Sequence, residues 1–291
     1  MILCIVGPTG VGKTKLSVEL AKYYNAIIVN ADSMQVYKRL DIGTAKVRDD
    51  EKENIPHLLF DIVEPTEMYT VYDYQKDLRN ILSKYKDKNI VIVGGTGLYI
   101  KAGLFNYVFS EEKLNKNTYD DLTNEELYDL VLKKDMNSDI HINNRKRMIR
   151  FLNREENIKD KDKLLFDCKF IGLTTDREVL YDKINKRVDK MFDEGLLNEV
   201  KSLYDENIRS KAIMTGIGYK ELYEYFDGNI SLEEARELIK SRSRKYAKRQ
   251  YTWFNNQMDV TWFNTDYDNF YNTIKDVIKY IESDNNEKDF R

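Results

Sequence analysis

Residues Gly7 to Thr14 read GPTGVGKT. This is the G-x-x-x-x-G-K-[ST] spacing of a loop that folds its backbone N–H groups around a phosphate. The loop follows a short apolar run, Ile2 to Val6, and opens a helical pattern from Lys15 to Tyr23. A helix N-terminus in that position adds about half a positive charge. Lys13 adds a full one, and the Thr14 hydroxyl suits a magnesium ion. Gly7, Pro8, Thr9, Gly10, Val11, Gly12, Lys13 and Thr14 are therefore the candidate diphosphate- or nucleotide-binding residues, of the kind that hold ATP. Mg2+ is the expected cofactor, with Thr14 as its ligand.

Two further residues stand where chemistry is expected. Asp32 follows the apolar run Ala26 to Val29, and Thr96 lies in the turn Gly94-Gly95-Thr96-Gly97 after the run Asn89 to Val93. Ligands of open α/β sheets bind at the carboxyl ends of strands, where both would fall. A carboxylate there can take a proton from an attacking group, and a hydroxyl can donate to an oxygen on which charge develops. Both residue types also cap helices and turns. An ordinary kinase or ATPase would carry an aspartate at the end of the later strand to organise magnesium. Here that strand ends in glycines, which asks for another use of the phosphate loop.

Elements able to hold these residues are visible as apolar runs. Ile2 to Val6, Ala26 to Val29, Leu58 to Val63, Ile90 to Val93, Phe170 to Leu173 and Val260 to Phe263 are β-rich and do not alternate. Such runs suit parallel strands buried on both faces, with helical crossovers between them. The expected fold is α/β: a doubly wound parallel sheet of the P-loop NTPase kind with a small helical insertion. The polar stretch 108–139, with one amphipathic piece from Leu122 to Leu132, reads as that insertion between core segments 1–107 and 140–291. Asn157 to Lys163 reads as a charged linker or exposed turn. Glu178 to Ala247 is helical, broken by Gly195, Gly216, Gly218 and Gly228, and a last helical pattern spans Tyr271 to Ile281.

Composition narrows the class. The chain has 291 residues, 42% of them apolar, enough for a sizeable core. Its 47 basic and 50 acidic side chains nearly cancel, so a nucleic-acid partner must be met by local patches. Two such patches exist. Arg145, Lys146, Arg147, Arg150 and Arg154 cluster, the last three on one helical face. Arg236, Lys240, Arg242, Arg244, Lys245, Lys248 and Arg249 form a second, with Glu237 the sole acid between them. It runs into Tyr251, Trp253 and Phe254, which suit base stacking or a core equally. Two cysteines and two histidines lack zinc spacing and exclude a disulfide framework. No apolar stretch reaches about 18 residues, and the N-terminal run is too short for a signal peptide. A cytoplasmic monomer without membrane contact is expected.

Eight segments in order resemble the tRNA dimethylallyltransferase family, also called tRNA isopentenyltransferases. They are GPTGVGKT at Gly7, NADSMQVYKRLDIGTAK from Asn30, PHLLFDIVEPTEMYTVYDY from Pro56, GGTGLYIKA from Gly94, NNRKRMIRFL from Asn143, LYDKINKRVDKMFDEGLLNEV from Leu180, GIGYKEL from Gly216 and SRKYAKRQYTWF from Ser243. The resemblance implies transfer of a dimethylallyl group from dimethylallyl diphosphate to the exocyclic amine of adenosine 37 in the anticodon stem-loop of tRNA. It implies Asp32 as the base and Thr96 as donor to the bridging oxygen. Lys220 matches a diphosphate-contacting position. Asp32, Ser33, Met34 and Gln35 would face the tRNA, and Arg147, Arg150, Arg244, Lys248 and Arg249 would grip it. The phosphate loop would hold a leaving group, which fits the missing acid. The insertion departs from the family: only about 48 residues separate Thr96 from Asn144, room for two or three short helices.

Overall fold

The computed structural model describes residues 1–109, 119–153 and 163–288. Among them the chain divides into two compact units, Met1–Phe105 with Leu164–Arg291, and Asn106–Lys163.

The larger unit is built on six strands. They are β1 (Ile2–Val6), β2 (Ala26–Asn30), β3 (His57–Leu58), β4 (Asn89–Val93), β5 (Cys168–Thr174) and β6 (Thr261–Asn264). All pair in parallel, in the order β3-β2-β4-β1-β5-β6. Register is set at Ile2 opposite Ile90, Ala26 opposite Asn89 and Ile171 opposite Thr261. Successive residues of a strand point to opposite faces, so the central strands feed two cores. Cys4, Val6, Ile27, Val29, Ile90 and Ile92 enter one core, while Leu3, Ile5, Ile28, Val91 and Val93 enter the other. Covering both faces is why these runs are apolar throughout.

Helices of this unit are α1 (Lys13–Tyr24), α2 (Val71–Lys84) and α3 (Gly97–Leu104) in the first half. The smaller unit contributes α4 (Asn124–Lys134) and α5 (Arg145–Leu152). The second half of the larger unit then holds α6 (Arg177–Asp193), α7 (Leu196–Asp205), α8 (Lys211–Thr215), α9 (Tyr219–Phe226), α10 (Leu232–Gln257) and α11 (Phe270–Lys288). Their starts are written in the sequence. Thr70 with Asp73 and Ser231 with Glu234 form reciprocal capping boxes for α2 and α10, and Asp176 caps α6. Among the described residues no helix is long and apolar enough to cross a membrane.

Two boundaries differ from the sequence reading. The run Leu58 to Val63 yields only the two-residue β3, because Leu59 and Asp61 take left-handed φ values of 62° and 53° and turn the chain out of the sheet. The insertion reaches Lys163, where the pattern placed its end at residue 139. The reason is packing: Met148 of α5 and Ile140 join Leu127 and Val131 of α4 in one small core. The guanidinium of Arg145 closes it, donating to the carbonyls of Leu122 at 2.7 Å and Tyr119 at 2.6 Å. The segment NNRKRMIRFL thus belongs to the insertion. Most of the expected linker Asn157 to Lys163, and Arg154, lie outside the described residues.

Candidate active site

Three adjacent strands, β2, β4 and β1, each end in a residue singled out by its chemistry. Backbone hydrogen bonds lock those ends in step. Gly94 N–H donates to Ile5 O at 3.2 Å, Ala31 N–H to Val93 O at 2.8 Å, and Thr96 N–H to Ala31 O at 3.0 Å. After β1 the loop turns at Gly7, whose φ is +133° and where an added Cβ would fall 2.5 Å from Leu173 O, leaving no room for a side chain. Lys13, at the start of α1, reaches back to the carbonyls of Gly7 at 3.0 Å and Pro8 at 2.7 Å.

After β2, Asp32 is oriented by two bonds. Its N–H donates to Asn30 Oδ1 at 2.8 Å, and its own Oδ1 accepts Met34 N–H at 2.9 Å. The second carboxylate oxygen makes no such bond to its own turn. After β4, Thr96 is the residue before α3, but its hydroxyl makes no capping bond. It accepts Ser33 N–H at 3.0 Å and lies 3.3 Å from Ser33 Oγ. The hydroxyl therefore faces the Asp32 segment and not its own helix.

Lys13, Thr9, Gly10, Gly12, Thr14, Asp32 and Gln35 line one open cleft of about 1060 Å³. Enclosure in it pulls the Lys13 ammonium down to about 7, with Asp32 opposing that shift and Arg187 adding to it. Arg187 is a site residue that pattern reading missed. Burial lowers its pKa too, while Asp32 supports its charge. Its guanidinium donates to Thr9 Oγ1 at 2.9 Å and Thr44 O at 3.4 Å, which fixes a second cation beside the phosphate loop. A signal was available. On α6 the buried stripe runs Leu180, Ile184, Val188, Met191, and Arg187 falls three residues after Ile184 and four before Met191. A cation on the apolar stripe of an amphipathic helix calls for a buried partner or ligand.

A smaller cavity of about 290 Å³ adjoins, sharing Thr9, Asp32, Thr44, Arg187, Met191 and Tyr246 with the first. Its own lining includes Ser33, Met34, Ile217, Ile239 and Arg249. Asp32 thus stands where the two meet. Tyr246 stands there as well, its pKa raised by burial and by the Asp32 charge, while Thr96 and Gln250 act in the other direction.

The loop carrying Asp41 to Lys46 forms one wall and is held from two sides. The Glu199 carboxylate accepts the N–H groups of Asp41, Ile42 and Gly43 at 3.0, 2.7 and 3.0 Å and the Tyr219 hydroxyl at 2.7 Å. Buried Lys46 pairs with Asp41 at 2.7 Å and Asp61 at 2.5 Å. Gln35, expected to read a base, donates to Thr44 O at 3.0 Å and so shapes this same loop. Met34 packs on Gly216.

The remaining sequence candidates divide by what they touch. Lys220 is half-buried and is not among the residues lining either cavity. On α10, Arg242 pairs with buried Glu221, Lys240 with Asp189 at 2.8 Å and Glu237 at 3.0 Å, and Arg236 with Asp189 at 3.6 Å. Arg244 donates to Asn185 Oδ1 at 2.5 Å. Lys245, Lys248 and Arg249 face solvent, and Arg249 lies over the Tyr246 ring at the rim of the smaller cavity. Phe254 is fully buried and so is no stacking surface, Trp253 is half-buried and packs on Gly97, and Tyr251 is exposed against Trp262. In the smaller unit Arg150 is exposed, and Arg147 is paired with Asp139 at 3.0 Å.

Among the described residues no three His, Cys, Asp or Glu side chains cluster as a metal cage. Thr14, exposed on the cleft wall, offers one hard oxygen. That donor set fits magnesium carried in on phosphate oxygens and keeping most of its waters, and does not fit a resident ion.

Comparison with known proteins identifies the family and the fold. A family described as IPP transferase matches residues 35–257. A tRNA dimethylallyltransferase of Bacillus licheniformis is 49% identical over 282 residues, 90% of each chain. One of Anoxybacillus flavithermus is 46% identical over 298 residues, 97% of this chain and 96% of that one. The solved full-length tRNA isopentenylpyrophosphate transferase of Bacillus halodurans superposes with a TM-score of 0.77 at 40% identity, covering 99% and 97% of the two chains. A eukaryotic dimethylallyltransferase solved acting on tRNA gives a TM-score of 0.81 at 28% identity, covering 99% of this chain and 79% of that one.

Proposed function

The chain belongs to the IPP transferase family, and from that premise we propose that it transfers the dimethylallyl group of dimethylallyl diphosphate to the N6 amine of adenosine 37, beside the anticodon of tRNA. The bond from the first prenyl carbon to the bridging oxygen breaks, and its electron pair leaves with diphosphate. The amine lone pair forms the new N–C bond, and the amine gives up one proton. The observation that carries this reading is that Asp32 and Lys13 line one cleft, with Asp32 also facing the adjoining cavity.

Each residue then has a task. The loop amides, Lys13 and Arg187 receive the diphosphate, their charges meeting it in a partly water-excluded site. Thr96 donates to the bridging oxygen as charge develops there. The adenine amine is a poor nucleophile because its lone pair is delocalised into the ring. Asp32 takes its proton as the new bond forms. A magnesium ion held by Thr14 and phosphate oxygens would supply further charge neutralisation of the leaving group. A loop adenosine reaches the site at small cost, since little stacking must be broken. Arg249 at the smaller cavity, Lys248 and Arg244 beside it in sequence on α10, and Arg150 and Arg147 of the insertion, would position the RNA through its phosphates. In this reading the loop serves a departing diphosphate in place of ATP, and the enzyme works as a cytoplasmic monomer.

The test is direct. Purified protein is mixed with magnesium, labelled dimethylallyl diphosphate and either unmodified tRNA or AMP. Label on tRNA alone is expected. Label on AMP would move the acceptor to a free nucleotide, and label on neither would end the transfer reading.

A further inference from the structure

Gln250 lies in the C-terminal half of α10, is 4% exposed, and touches both motifs of the site. Its Oε1 accepts Thr9 N–H of the phosphate loop at 2.9 Å, and its Nε2 donates to Gly95 O, the residue before Thr96, at 3.0 Å. The fit is close: a Cβ on Gly95 would fall 2.0 Å from Nε2. Hydrogen-bonding capacity alone makes an amide the side chain for this place. It must accept on one side and donate on the other, at fixed distance, in a buried position. No other described side chain is hydrogen-bonded to both Thr9 N and Gly95 O. Asp32, Lys13, Arg187 and Tyr246 line the same cleft as Gln250.

We propose that Gln250 is a positioning residue for the transfer step: it fixes the distance between the phosphate loop and the 94–97 turn, so that a diphosphate seated on the loop presents its bridging oxygen to the Thr96 hydroxyl. The tie acts on alignment at the reacting bond and not on the grip on tRNA. Misplacement of reacting groups by a fraction of an ångström to one ångström costs up to about a hundredfold in rate. The inference rests on the transfer reading above, and the two fail separately. If wild-type protein transfers no label, that reading fails; if wild type transfers and the variants below behave otherwise than stated, only this inference fails.

Two variants test it. Gln250→Met keeps length and volume and removes the hydrogen bonds to Thr9 and Gly95, together with the one to the Tyr246 hydroxyl. It should lower kcat at least about tenfold while the KM for tRNA stays within about twofold. Gln250→Glu gives a sharper readout. Protonated, the carboxyl accepts from Thr9 N–H and donates to Gly95 O, as the amide does. Ionised, it loses the donor and sets a charge against that carbonyl, with Asp32 nearby. The ratio of its kcat to that of wild type should therefore rise as pH falls from 8.5 to 5.5. Taking the ratio to wild type removes the pH dependence that Lys13, Tyr246 and Asp32 give both proteins alike, leaving what the new carboxyl adds; Arg187 stays charged throughout. A ratio independent of pH, or a defect confined to the KM for tRNA, overturns the proposal. If Gln250→Met fails to fold, the pH dependence of Gln250→Glu decides alone.

Discussion

Asp32→Asn lowers the rate of transfer roughly a thousandfold and leaves tRNA affinity within about twofold, the size of effect expected for loss of a general base. The substitution separates two roles for the same carboxyl. Oδ1 holds the turn by accepting Met34 N–H at 2.9 Å, and asparagine keeps that acceptor. What disappears is the proton-accepting capacity and the negative charge that supports Lys13 and Arg187. A residue whose work was to shape the turn would tolerate the change, so wild-type turnover in Asp32→Asn removes the base assignment. Single-turnover kinetics with saturating tRNA isolate the step. A filter-binding measurement on the same protein shows whether the RNA is still gripped. In the proposed reading the exposed cations Lys248 and Arg249 would carry that grip through phosphate contacts separate from Asp32.

The second large effect belongs to Lys13. Lys13→Ala raises the KM for dimethylallyl diphosphate and lowers kcat, together costing about a hundredfold or more in kcat/KM, as removal of one charge-stabilising donor does. The residue also imposes a pH signature. Burial places its pKa at about 7, so at pH 8 most ligand-free molecules carry the neutral amine. An incoming diphosphate favours the charged form and raises that pKa. Donor binding at pH 8 therefore takes up close to one proton at Lys13, and affinity weakens as pH rises above 7. Calorimetry in two buffers of different ionisation enthalpy counts the proton. The Lys13→Ala variant should lose that uptake. An unchanged proton count, KM and rate in the variant would remove Lys13 from the diphosphate site.

Much of this site is legible in the sequence because its parts are local. The loop motif, a carboxylate two residues past one strand and a hydroxyl in a glycine turn past another each declare themselves within a few residues. Parallel strand order then brings them together. What sequence pattern missed is made by contacts of long separation. Arg187 reaches Thr9 across 178 positions, and Gln250 reaches the same residue across 241. Neither carries a local signal except its place on a buried helix stripe. The charge-rich α10 illustrates the converse. Counting cations made it one basic surface, but Arg236, Lys240 and Arg242 are spent on Asp189 and Glu221, leaving the solvent-facing cations towards its C-terminal half. The helical insertion was placed correctly in kind but ended too early, since the apolar stripe of α5 answers α4 and only the three-dimensional pairing reveals it.

The most direct test of the central claim is a crystal structure of the enzyme with an anticodon stem-loop and a thiolo analogue of dimethylallyl diphosphate, which binds without reacting. The account predicts the diphosphate seated on the Gly7–Thr14 loop against Lys13 and Arg187. It also predicts the adenosine N6 within hydrogen-bond reach, about 2.6–3.2 Å, of the free Asp32 oxygen. A diphosphate bound away from that loop, or an amine turned from Asp32 towards another group, would contradict it.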